Sequence, residues 1–239
     1  RYKNATLGFL WMLLNPVLQM IILSIVFSIY VKINISNDYP GQPYPVFLLC
    51  AILPWNFLSV SLNAGSHSLV EESNLVKKVF FPREIIPISI VVGHLINFLT
   101  ALLLFLPFPL IFQKQLPWEL ILLLIPIILL TFFVISLTAL VSNLDVFFRD
   151  TRYIVEALVM VWFYATPIFY PVSYVPEKLR LFYHCNPMVS FVQMFRDILL
   201  KGDVPGWIHI IYTSIIIIFV AGLARILYRK RGPVMADYL

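Results

Sequence analysis

Charge is what this chain most conspicuously lacks. Only 12% of its 239 residues are Asp, Glu, Lys or Arg, whereas 61% are hydrophobic and the mean hydropathy is +0.91. A soluble domain carries about a quarter charged residues. Too little polar surface exists to coat a water-facing globule, so the expected solvent is lipid. Cysteine is scarce too: Cys50 and Cys185 make no disulfide framework, and no CxxC or Cys/His metal spacing occurs. Two free thiols are expected, with no metal and no cofactor held by this chain. None of the 8 glycines is followed by lysine, so there is no GxxxxGK[ST] phosphate loop. Energy for uphill work would have to come from another polypeptide. HExxH and GxSxG are also missing, and no chain of acids traces a proton route through the apolar runs. The chain is therefore not expected to be an enzyme. The net charge of +5 does not indicate nucleic acid, because the basic residues sit at the ends of apolar runs rather than on one face of a soluble fold.

What is present is a series of apolar runs. A helical crossing takes about 20 mostly apolar residues, and six segments qualify: Leu14–Val31, Pro45–Ala64, Ile85–Phe112, Trp118–Ser142, Ile154–Tyr170 and Trp207–Leu227. The expected fold is all-α, a single six-span membrane domain over residues 1–239. The third run is long enough to tilt or to include an external turn at Pro107–Pro109. Because the chain opens on Arg1 rather than Met, a further N-terminal segment is expected upstream. With both termini in the cytoplasm, eleven Lys and Arg fall inside and six outside (Lys32, Lys114, Lys178, Arg180, Arg196 and Lys201), the bias that sets membrane orientation. Pro54, Pro87, Pro126 and Pro167 lie within or near span ends. The carbonyls they free need a neighbouring helix or a wet cavity, which suits a pathway and a kinked, well-packed bundle equally. Few ionisable or amide groups lie deep: His94, Asn97, Asn56 and Glu156. Arg152 one turn before Glu156 accounts for that acid as a helical pair, and His94 is expected to bond to a neighbouring helix.

Two stretches are amphipathic rather than greasy. In "EESNLVKKVFFPRE", Leu75, Val76, Val79 and Phe80 share one side of a helix and Lys77 and Lys78 the other. Glu71 and Glu72 suit its N-terminus, and Pro82 ends it. The spacing predicts a short helix over about 72–82 on the cytoplasmic side. It either rests on lipid headgroups or inserts into a groove on a soluble partner; periodicity does not separate the two. In "NPMVSFVQMFRDILLKG", Asn186 is a cap, Pro187 a first helical residue and Gly202 a stop. Met188, Phe191, Val192, Phe195, Ile198 and Leu199 form one stripe, and Ser190, Gln193, Arg196, Asp197 and Lys201 the other. With a shorter helix from Pro176, this predicts a pair lying at or dipping into the outer membrane face over about 171–206.

Five segments in order resemble the membrane subunit of bacterial ABC polysaccharide exporters: "RYKNATLGFLWMLLNPVLQM", "NLVKKVFFPREIIP", "LVSNLDVFFRDTRY", "YATPIFYPVSYVPE" and "NPMVSFVQMFRDILLKG". The resemblance covers nearly the whole chain. It implies a permease of the bacterial inner membrane, multi-pass with both termini cytoplasmic, that exports lipid-linked O-antigen (a step of lipopolysaccharide biosynthesis), capsular polysaccharide or teichoic acid. It further implies a homodimer driven by two copies of a separate ATP-binding cassette subunit, which would hold the ATP and magnesium. Membrane lipids are the remaining partner. Position by position, Leu75, Val76, Lys77, Lys78, Val79 and Phe80 match the family's ATPase-coupling helix, with Arg149, Asp150 and Arg152 at the same interface. "RYKNATLGFLW" matches the end of an N-terminal amphipathic helix.

In the same family the first and fifth spans line the conduit. Here Gln19, Leu23, Phe27 and Tyr30 share one face of the first, and Trp162, Thr166, Phe169 and Tyr170 one face of the fifth. Aromatic walls suit the C–H faces of sugars, although aromatics also gather at membrane interfaces without any ligand. Tyr174, Phe182, Tyr183 and Phe191 would form an external gate. The alternatives are a permease for a small hydrophobic drug or antibiotic, a membrane-embedded glycan enzyme, for which paired ionisable groups are lacking, and a passive channel.

Overall fold

A computed structural model of the chain describes residues 10–78, 81–108, 118–232 and 234–238. Val79, Phe80, Lys114 and the Pro109 end of the third run lie outside the described residues, as do the side chain of Phe182 and the first nine residues.

Every regular element among the described residues is helical, as lipid demands of a chain that must satisfy its own backbone. Helix α1 (Leu10–Ser24) runs into a π-helical turn (Ile25–Tyr30). Helix α2 (Tyr44–Ser66) starts at a Pro43–Pro45 entry and stops at His67. Two short helices follow, α3 (Ser68–Glu71) and α4 (Ser73–Lys78). Beyond them come α5 (Ile85–Phe105) and then α6 (Leu124–Phe147), which a 3-10 turn at Trp118–Leu123 leads into. Helix α7 (Thr151–Tyr164), the paired α8 (Glu177–His184) and α9 (Pro187–Arg196), the long α10 (Trp207–Arg231) and α11 (Met235–Tyr238) complete the order.

Among the described residues four helices are long and apolar enough to cross a membrane: α2, α5, α6 with its leading turn, and α10. The apolar part of α1 with its turn, Leu14–Tyr30, has 17 residues, at the low end of a crossing. The fifth expected span differs from Ile154–Tyr170. Its helix has only 14 residues and ends at Tyr164, because "TPIFYP" follows, and two prolines bar continuation.

Helix α2 is the hub. Of its most apolar window 78% is buried, against 11% for α10, and α1, α5, α6, α7 and α9 all pack on it. At 23 residues it separates its two ends by roughly 34 Å. At one end lie α8 and α9, and at the other α3 and α4. Along α10, Ile208, Ile211, Ile215, Ile218 and Phe219 stay exposed, the face expected to meet lipid. Between α2 and α6 the backbones close tightly, because a Cβ on Gly65 would collide with the Thr138 methyl.

Candidate functional site

The α3–α4 end is closed by its own small core. Leu69, Val76, Ile86, Ala139, Val146, Ala224, Tyr228 and Met235 are buried together there. Leu75 and Val76, expected on one apolar side, part company. Val76 is sunk in that core, whereas Leu75 is 43% exposed and Lys77 and Lys78 point outward with it. The reason is that the bundle supplies a wall for one side only of α4, and adjacent residues on a helix stand 100° apart. Arg149, Asp150 and Arg152, in the turn between α6 and α7 and the first turn of α7, are exposed at the same end. The tail helix is strapped down beside them: Arg83 Nη1 donates to the Gly232 carbonyl, Arg231 sits 4.9 Å from the Phe147 ring centre, and the Tyr238 ring packs against the same ring at a tilt of 59°.

Beneath this surface, His67 Nδ1 and Asp145 Oδ2 are 2.7 Å apart, with Asp145 fully buried. The fourth apolar run ends at Ser142, three residues short of Asp145. In fact α6 continues to Phe147 and carries the carboxylate inside. One signal for it was available, a lone acid one helical turn beyond an apolar span.

At the opposite end, the chain leaving α7 folds back through Ala165–Tyr170 instead of remaining helical. Thr166 and Phe169 are buried, so with Tyr170 they do not continue the Trp162 face of a helix. Phe169 lies flat on Phe27, ring centres 4.5 Å apart and planes within 6°. Trp162 donates its indole N–H to Asn186 Oδ1 at 2.7 Å, and Asn186 Nδ2 reaches Thr166 Oγ1 at 3.0 Å. Asn186 also caps α9 by accepting from the Met188 N–H, so a single amide binds the end of α7 to the start of α9. On α1, Gln19 accepts from Asn56 Nδ2 at 3.2 Å, and Leu23 and, from the π-helical turn, Phe27 lean on the core. Tyr30 leaves their face and is 76% exposed, because the wide π turn breaks the i, i+4 register that the pattern assumed.

Arg196 was expected on the polar side of α9. It is fully buried. Its Nη1 and Nη2 donate to the carbonyls of Pro167 and Ile168 at 2.8 and 2.7 Å, and its guanidinium carbon sits 3.7 Å from the Phe47 ring centre. Desolvation draws its pKa down to about 10, which leaves it charged at neutral pH. The broken backbone after α7 has carbonyls no helix can satisfy, and the arginine fork fits two of them.

Phe191, expected at an external gate, is a core residue against Phe133. Of the tyrosines expected at the gate, Tyr183 pairs with Tyr170, a residue expected in the conduit, and Tyr174 pairs with a loop residue. Tyr170 and Tyr183 hydrogen-bond through their hydroxyls, and Tyr174 bonds back to Asn34, donating to its carbonyl and accepting from its N–H, both at 3.1 Å. Ser173 donates to Asp38 at 2.7 Å. Together with Lys32, whose φ of 58° is rare for a side chain of that size, these tyrosines line an open cleft of about 360 Å³. Its remaining wall is apolar: Val31, Ile33, Val175 and Pro176. Among the described residues no cluster of His, Cys, Asp and Glu suits a metal.

A bundle of long apolar helices, with amphipathic elements folded over both ends, defines an integral membrane protein. Residues 1–200 match the ABC-2 type transporter family, and the chain belongs to it. It is 29% identical over 239 residues to an O-antigen export system permease protein RfbA of Myxococcus xanthus, an alignment covering 99% of this chain and 90% of that protein. A Klebsiella pneumoniae protein of the same name is 31% identical over 229 residues, covering 94% and 85%. The polysialic acid transport protein KpsM of Escherichia coli is 23% identical over 249 residues, covering 98% and 90%.

Proposed function

We propose that this chain is the permease half of an ATP-driven exporter that carries a lipid-linked polysaccharide across the bacterial inner membrane. The observation that carries the reading is the near end-to-end similarity to O-antigen and polysialic acid transport proteins, up to 99% of the chain. In this reading residues 1–239 form one six-span domain with both termini in the cytoplasm, as the excess of Lys and Arg on that side supports. Two copies pair along α1 and α7, and two cassette ATPases hold the ATP and magnesium. This chain then hydrolyses nothing itself, in keeping with its lack of a phosphate loop.

The partner presses on exposed Leu75, Lys77 and Lys78 and on Val79 and Phe80, with Arg149, Asp150 and Arg152 completing the contact. Val76 serves as the root that ties this lever to the bundle. The glycan passes Tyr30, Trp162 and Tyr170. Gln19, Phe27, Thr166 and Phe169 support that wall from behind, since their own bonds and burial face the protomer interior. A pyranose ring stacks its C–H face on an aromatic while its hydroxyls stay wet, and such contacts are individually weak enough to let a polymer slide. Tyr174 and Tyr183 close the outer cleft, with Phe182 on the same short helix and Phe191 as its core anchor.

Reconstitution tests this. Proteoliposomes holding the chain with its cassette partner should accumulate labelled lipid-linked glycan only when ATP and magnesium are present. Glycan flux through the chain alone, or nucleotide-driven movement of a hydrophobic drug but not glycan, would overturn it.

A further inference from the structure

The His67–Asp145 pair, with the aspartate fully buried and the histidine side chain 24% exposed, joins the elements that carry one of the two surfaces. His67 alone separates α2 from α3, and its backbone (φ −97°, ψ 3°) makes the corner from which α3 and α4 depart. Asp145 sits in the last turn of α6, just before the turn that carries Arg149. A carboxylate there faces the negative end of the helix dipole, and a buried charge without a partner is costly. Its Oδ2 has His67, while its Oδ1 has no hydrogen-bond partner, so the histidine is its counterweight.

The pair is also the end of a line. Thr138, Ser142 and Asp145 stand at i, i+4 and i+7 on one face of α6, and each meets a different element. Thr138 closes on Gly65 of α2, Ser142 Oγ lies 3.1 Å from the Tyr228 hydroxyl of α10, and Asp145 meets the α2–α3 corner. Of these joints, only the last lies directly at the root of α3–α4.

We infer that His67 and Asp145 are positioning residues for energy coupling. The pair pins the α2–α3 corner to the end of α6, so that a push on α3–α4 moves the Arg149–Arg152 segment with it and travels on through α6 to α10. Without the pin, the corner bends and the push is lost. The inference rests on the reading of α3–α4 as the contact for a nucleotide-hydrolysing partner.

Replacing a buried pair with apolar groups restores stability in many proteins, which separates positioning from mere support. The measurement is glycan exported per ATP hydrolysed by the complete transporter in proteoliposomes. The H67A/D145L double variant should insert and melt like the unaltered protein, yet its ratio should fall at least fivefold. H67N, which keeps an amide donor near the Nδ1 position, should stay within twofold. A ratio within twofold in H67A/D145L overturns the inference. L75D run in parallel separates the two levels: if L75D uncouples and H67A/D145L does not, only the pin is wrong. If L75D leaves the ratio intact, the contact reading itself falls, and the inference with it.

Discussion

Arg196 offers the sharpest stability test, because one guanidinium satisfies two successive carbonyls of the folded-back α7 exit. Arg196→Met keeps the length and apolar stem but removes both donors. The Pro167 and Ile168 carbonyls are then left buried without a partner, at about 1–3 kcal/mol each. Stacking on Phe47 at 3.7 Å is lost as well, worth up to about 2 kcal/mol when desolvated. Against this, the cost of burying a cation disappears, on the order of several kcal/mol. Taking about 2 kcal/mol for each carbonyl, about 2 for the stacking and about 3 returned by no longer burying a cation, the net loss is about 3 kcal/mol, and for a domain of this size each kcal/mol moves the melting point by roughly 2–4 °C. The expected drop is therefore roughly 6–12 °C in a detergent-solubilised melt followed by size-exclusion fluorescence. Arg196→Lys retains the charge but not the fork and should fall between. A methionine variant melting within 2 °C of the unaltered protein, on the same scale, would refute the assignment of Arg196 as the clasp of this break.

Gly65→Ala should destabilise α2 against α6 by about 1–3 kcal/mol, since the new Cβ meets the Thr138 methyl; adding Thr138→Ser, which deletes that methyl, should recover most of the loss in the same melt. Tyr174→Phe removes both bonds to Asn34, a loss of about 1–3 kcal/mol, and should speed hydrogen exchange at 31–36 and 172–174 while leaving α2 unchanged. Val76→Asp, which buries a charge in the small core, should lower the amount of inserted protein, whereas Leu75→Asp, on the exposed side of the same short helix, should leave it unaltered, as quantitative immunoblotting of membranes would show.

The four long helices were legible because lipid leaves a chain few choices: an apolar run of that length has to be helical. The start of α9 and the end of the π-helical turn that continues it (Asp197–Lys201) were legible for a local reason, with Asn186, Pro187 and Gly202 each acting within a few residues. What escaped depended on partners far along the chain. Arg196 reads as a polar-face residue by periodicity, and its acceptors lie 29 and 28 residues upstream. Hydropathy carried the fifth span to Tyr170 because Ile168 and Phe169 are greasy, although two prolines had already ended the helix. Phe191 was assigned outward and packs inward for the same reason as its neighbours in the stripe. Tyr30 followed its face on paper, and the π turn took it away. His67 and Asp145 stand 78 residues apart, and neither carries a local mark of the other.

The account turns on a passive helical frame moved from outside by a hydrolysing partner. Placing a photoreactive amino acid at Lys78, which points out from α4, and illuminating membranes that hold the assembled transporter measures this most directly. A crosslink to the cassette ATPase whose yield changes when ATP is replaced by a non-hydrolysable analogue is the predicted result. Crosslinks to lipid alone, with the same ATPase still bound and turning over, would contradict it.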